Sequence, residues 1–140
     1  VRTIPVGWGE GYEQAGAFIM AQPDGAAKPV AAWFEPVLRP FVRTAVAALP
    51  AAATPGRVGY VVLYVDQMQR NDMPEITAQY FGKQTPLHVV RMHGIDYAYV
   101  YQAAPAVAHT LSASFGGSLR LWGYDLARAP AGDSLSLTAR

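Results

Sequence analysis

Val58-Gly59-Tyr60-Val61-Val62-Leu63-Tyr64-Val65 is an uninterrupted apolar and β-branched run. Such a run predicts a strand covered by protein on both faces, the situation of strands in a parallel sheet. The chain has 140 residues, about the modal size of one domain, so one core with at most a small appendage must supply both covers.

The flanking segments read as those covers and as neighbouring strands. Tyr12, Ala15, Gly16, Ile19 and Met20 recur at helical spacing with Glu13 and Gln14 between them, predicting an amphipathic helix over about 10–22 that ends at Pro23-Asp24-Gly25. Pro29–Phe34 reads as a short buried strand, Pro36 and Pro40 bracket a brief helical turn, and 47–56 lacks periodicity and reads as a loop. After the long run, 66–72 is crowded with polar side chains and reads as a loop; Asp72-Met73-Pro74-Glu75 then carries the signals of a helix start, for a helix over 74–81. Leu87–Met92 and Ile95–Tyr101 read as two further strands separated at Gly94, with Ile95, Tyr97, Tyr99 and Tyr101 on one face and Asp96, Ala98 and Val100 on the other. The expected fold is α/β: a small, mainly parallel sheet with flanking helices, followed by antiparallel β strands. Residues 1–110 form the α/β domain in this reading. Residues 111–140 begin a β-hairpin or β-sandwich extension, because Leu119, Leu121 and Gly123 alternate with Arg120 and Trp122, and Leu135 and Leu137 follow the turn Pro130-Ala131-Gly132-Asp133.

Composition narrows the functional classes. Charged residues make up 15% of the chain and the net charge is +1, with basic residues scattered from Arg2 to Arg140, so no nucleic-acid footprint is visible. Cysteine is absent, which removes disulfides, thiolate metal sites and cysteine nucleophiles. The uncharged span from Tyr97 to Leu119 holds Gln102, Pro105 and His109, and the Arg43–Arg57 stretch is broken by Pro50 and Pro55; neither suits a membrane-crossing helix of about 20 predominantly apolar residues. The chain opens on Val1 and closes on an alternating strand-like pattern, as expected of a segment of a longer protein.

Chemistry-bearing residues each have a structural reading beside the functional one. Gly7-Trp8-Gly9-Glu10-Gly11 is shaped like a phosphate-cradling loop ahead of a helix, but no strand precedes it and Glu10 would repel phosphate, so a tight helix entry is expected. His88, His93 and Asp96 have metal-ligand chemistry, yet His88 and His93 point to opposite faces of one strand, and no metal site or cofactor is expected. Glu35 and Asp66 stand near strand C-terminal ends, the ligand-binding edge of open α/β sheets, where two acids also suit a small hydrolase. Ser114 and Ser118 flank Gly116-Gly117 without a nucleophile elbow and read as turn residues. Tyr97, Tyr99 and Tyr101, with Trp8, Trp33 and Trp122, have the aromatic faces and polar edges that stack on sugar rings, or they pack the core.

Four strings in this order carry a resemblance: Trp8-Gly9-Glu10-Gly11; Tyr60-Val61-Val62-Leu63-Tyr64-Val65-Asp66-Gln67-Met68-Gln69-Arg70; His93 through Tyr101; and Phe115 through Leu126. Together they resemble the soluble C-terminal region of bacterial multi-spanning glycosyltransferases, similar to the dolichyl-phosphate-mannose protein mannosyltransferases and the aminoarabinose lipid A transferases. The resemblance implies an integral membrane parent that moves a sugar from a polyprenyl phosphate carrier to an acceptor on the extracytoplasmic face of a bacterial cell membrane. It implies too that the catalytic acid lies in a loop between the first transmembrane helices, outside these residues, so that no catalytic residue carries over and the segment is inactive alone. Of the Trp-Trp-Asp-Tyr-Gly acceptor-reading motif of the related oligosaccharyltransferases, only Asp96-Tyr97 matches.

The expectation is a non-catalytic module that positions a glycan, a polyprenyl-phosphate-linked sugar or an acceptor. Trp8, Glu10, Gln67, Gln69, Arg70, His93, Asp96 and Tyr97 are its candidate binding residues, as polar or amphipathic groups at strand ends and turns. The alternatives are a structural spacer and, further off, the hydrolase built on Glu35 and Asp66.

Overall fold

A computed structural model describes residues 7–117, 119–128 and 135–139. Two compact units divide the chain after Ala104.

The first unit is built on a five-stranded sheet in the order β2-β1-β3-β5-β4. Its strands are β1 (Val30–Ala32), β2 (Val46–Ala48), β3 (Tyr60–Tyr64), β4 (His88–Met92) and β5 (Ile95–Gln102). The apolar run supplies β3, buried along its whole length, with β1 beside it in parallel and β5 beside it antiparallel. The sheet is therefore mixed rather than mainly parallel. β2 and β1 pair in parallel, while β4 and β5 form an antiparallel hairpin. The run reported burial on two faces, and burial does not encode the direction of a neighbour. The antiparallel pairing of β4 with β5 is set by the two-residue turn His93-Gly94, both at positive φ (51° and 79°), the twist that a tight hairpin needs.

Alternation along β3 divides the core. Tyr60, Val62 and Tyr64 pack with Val30, Ala32 and Val100 beneath helix α1 (Tyr12–Met20), which contributes Tyr12, Ala15 and Ile19, and beneath Leu38 of the four-residue α2 (Glu35–Leu38). Val61 and Leu63 face the other way with Ala31 and Tyr101. Their cover is Leu49 and Ala52 of a 3-10 turn (Leu49–Ala53) and Ile76 and Tyr80 of α4 (Pro74–Tyr80). Each fully buried aliphatic side chain here contributes about 1.5–3 kcal/mol relative to exposure. Helices cover both faces, but they are few and short. The described residues contain no helix long and apolar enough to cross a membrane.

Two expected loops are structured. Residues 47–56 begin with edge strand β2 and continue into the 3-10 turn. Small alanines carry no strand signature, and only the exposed polar groups of β1 recruit them; Val30 N–H donates to the carbonyl of Ala45 at 2.9 Å. Residues 65–69 form α3 (Val65–Gln69) directly from β3, and Asp66 and Arg70 pair across its one helical turn.

A bulge opposite Val90 and Arg91 breaks the alternation of β5. It turns Tyr97 toward the α1 face, where Gly11 leaves room for its Cβ, and leaves Asp96 on the side of Tyr99, whose hydroxyl it accepts at 3.2 Å. The expected set Ile95, Tyr97, Tyr99 and Tyr101 is thus not one face.

The second unit is an antiparallel sheet of β6 (His109–Phe115), β7 (Leu119–Arg128) and β8 (Leu135–Ala139). Tyr124 stacks on His109 with ring centres 4.8 Å apart, and Asp125 accepts the Ala108 N–H at 2.7 Å. Ser118 and the turn Pro130–Asp133 lie outside the described residues.

Candidate functional site

The loop Gly7-Trp8-Gly9-Glu10-Gly11 is closed by one phenol. Tyr64 Oη accepts the Gly9 N–H at 2.9 Å and donates to the Glu10 carbonyl at 3.0 Å. Side chains are sterically barred from two of its glycine positions: a Cβ on Gly7, at φ 100°, would stand 2.7 Å from Tyr64 Oη, and one on Gly9, at φ 115°, would stand 2.5 Å from Val37 Cγ1. Trp8 is 81% exposed on this braced loop. The Glu10 carboxylate accepts the Trp8 N–H, and that bond, the largest influence on it, lowers its pKa. Burial pushes Tyr64 up to about 12, and Tyr12, stacked on it at 4.7 Å, rises further for the same reason. Both phenols are neutral donors and acceptors at ordinary pH. The loop is a tight helix entry.

The candidate residues of α3 do different work. Gln67 is fully buried; its amide nitrogen donates to the Asp72 carbonyl and, at 2.7 Å, to Thr77 Oγ1, so it ties α3 to α4. Its Oε1 has no hydrogen-bond partner among the described residues. Arg70 Nε donates to Asp66 Oδ1 at 2.8 Å, and Asp66 is 3% exposed. Gln69 lies at the exposed end of the helix.

On the hairpin, His93 is exposed in the turn and Asp96 is held by Arg91, which keeps its carboxyl below the usual range. His88 stacks on Phe18 at 4.5 Å, nearly parallel. Among the described residues no three acidic or histidine side chains cluster as a metal site would need.

The sheet therefore sorts the candidates by face. Glu10 and Tyr97 meet around Tyr64 and Gly11 on the α1 side, with Trp8 on the same loop. Gln67 and Asp96 face the α4 side, through Thr77 and Tyr99 respectively, and the eight do not form one constellation.

A cleft of about 430 Å³ opens on that second side, where the chain leaves α4 and enters β4. Phe81, Tyr99 and Tyr101 form its wall and Lys83, Gln84 and Thr85 its polar rim. Phe81, 45% exposed, meets Tyr99 edge to face at 5.1 Å and 83°. Tyr99 is anchored by donating to Asp96, and burial raises its pKa; burial likewise pushes Tyr101 up to about 12. Gly82, at φ 74° with open space around its missing Cβ, allows the chain to turn back above the ring wall. The residue types alone had marked Tyr99 and Tyr101 as stacking groups. Phe81, Lys83, Gln84 and Thr85 went unmarked, and the signal available was an aromatic followed by Gly-Lys-Gln-Thr-Pro at a helix-to-strand turn. A second cleft, about 340 Å³, lies between α1 and the segment Pro40–Arg43, with Glu13 and Arg43 at its rim. Neither Glu35 nor Asp66 lines either of these two clefts.

Comparison with models of known families, with curated proteins and with solved structures returns no match.

Proposed function

We propose that the chain is a non-catalytic module that positions a glycan, and that it serves a polyprenyl-phosphate-dependent membrane glycosyltransferase of the kind its sequence resembles, on the extracytoplasmic face. The observation that carries the binding part is the cleft that presents the exposed ring of Phe81 and the half-buried ring of Tyr99, floored by the buried Tyr101 and rimmed by Gln84 and Thr85. Apolar sugar faces stack on aromatic rings while amide and hydroxyl groups meet the sugar hydroxyls, and this cleft offers both at one place. The resemblance of Trp8–Gly11, Tyr60–Arg70, His93–Tyr101 and Phe115–Leu126 supports the parent enzyme and the location.

The buried Asp66 is already paired with Arg70, which suits a structural ion pair better than a general acid.

The test is a ligand-observed NMR titration with short mannose, glucose and arabinose oligosaccharides. Binding that weakens about tenfold or more in Phe81→Ala, a loss of about 1.4 kcal/mol, supports the module. Silence from a folded protein across the panel, or binding indifferent to Phe81→Ala, overturns it.

A further inference from the structure

The charge around the Phe81 cleft is one-sided. Its lining holds one cation, Lys83, and no carboxylate. The ion pairs found among the described residues use Lys28, Arg70 and Arg91, and Lys83 takes part in none of them. The carboxylate in contact with the wall, Asp96, is bonded to Tyr99 Oη and neutralised by Arg91, which donates to it from both Nε and Nη2. An arriving ligand therefore meets the ring of Phe81 beside Tyr99, the Thr85 hydroxyl, the Gln84 amide, which donates to the Gln79 carbonyl at 3.4 Å, and an ammonium group that forms no ion pair among the described residues.

We propose that this cleft selects an anionic saccharide, a pyranose bearing a carboxylate or a phosphate, over the neutral sugar of the same size. The inference rests on the reading of the cleft as a sugar site and adds its ligand class. The physical basis is direct: a neutral ring gains stacking and hydrogen bonds, whereas a ring carrying an anion gains in addition the attraction of an exposed ammonium group, which gives up hydration but breaks none of the ion pairs found among the described residues. Lys83 also stands just beyond the C-terminus of α4, where a cation offsets the helix dipole. That role affects folding and not discrimination between ligands, so the two are separable.

The experiment uses the full chain and measures dissociation constants at low salt for trigalacturonate against maltotriose, for glucose 6-phosphate against glucose, and for inorganic phosphate alone. The expected result is a preference of about fivefold or more for the charged member of at least one pair, and the pair that responds identifies carboxylate or phosphate as the anion. The preference should vanish in Lys83→Gln and shrink at 0.5 M sodium chloride while affinity for the neutral sugar holds. Equal affinity for charged and neutral partners overturns the selectivity and leaves the sugar cleft standing. Inorganic phosphate binding as tightly as glucose 6-phosphate overturns it as well, because the site is then an anion patch without sugar recognition. If no saccharide binds the folded chain, the cleft is not a sugar site and both readings fall. A melting temperature of Lys83→Gln that matches the parent chain, alongside lost preference, excludes the dipole role as the cause.

Discussion

Tyr64 is the residue on which the entry to α1 depends. Its hydroxyl satisfies Gly9 N–H and holds the Glu10 carbonyl, and no other side chain in the described residues bonds to either backbone group. In Tyr64→Phe the phenyl still fills its place against Tyr12 and Phe34, but the backbone of the loop loses its partner. The expected cost is about 1–2 kcal/mol in urea unfolding; unchanged stability would show that the loop is held elsewhere. His93 offers the opposite opportunity. At φ 51° beside Gly94 it occupies a position that favours asparagine, so His93→Asn should raise stability by about 0.5 kcal/mol, measured the same way. His93 was legible in the sequence as a turn residue and a possible binding group; that the turn requires a left-handed backbone there became visible only from the register of β4 and β5.

At the scale of elements, the buried amide of Gln67 ties α3 to α4. Gln67→Ala removes both donated bonds and opens a cavity where the side chain is fully enclosed, so a loss of about 2–4 kcal/mol is expected. If Gln67 instead served a ligand, stability would hold and binding alone would fall. The sequence grouped Gln67 with Gln69 and Arg70 because the three share a polar stretch, and local polarity carries no information about which member faces inward. The same limit explains the misread strand faces. Period-two alternation placed Tyr97 with Tyr99, whereas a one-residue bulge, a property of the pairing with β4 rather than of β5 itself, turned Tyr97 toward α1. β1, β3, β4, β5, α1 and α4 were legible because each has strong periodicity or strong end signals. β2 and α3 were not, since alanines and short polar runs take their form from the neighbours available to them.

Across the first unit, three tyrosines packed on the sheet, Tyr60, Tyr64 and Tyr101, hold their protons up to about pH 12, each chiefly through burial. Their folded values lie above the value near 10 of an unfolded chain, so unfolding favours proton loss. The contribution of these phenols should be constant below pH 10, and stability should fall between pH 10 and 12 more steeply than one ionisation allows. Chemical denaturation midpoints across that range, followed with the tyrosinate absorbance, test this; a flat profile would show that the phenols ionise freely in the folded state. At the acid end, Glu10, Asp24 and Asp96 are held below their ordinary values, Glu10 by the Trp8 N–H, Asp24 by Lys28 and Asp96 by Arg91. Their contribution is present above the usual carboxylate range and is lost as pH falls through it.

The residues alone determined that this chain is an α/β protein with a doubly covered central strand, a helix entered through a glycine loop, and a β-rich end, because hydrophobic period and turn chemistry act over a few neighbours. Tertiary structure decided the mixed direction of the sheet, the face to which each tyrosine turns, and the convergence of Phe81 and Lys83 with Tyr99 and Tyr101 in one cleft. Those outcomes depend on pairing between segments far apart in the chain, and no local pattern specifies with which strand, or in which register, a segment will pair.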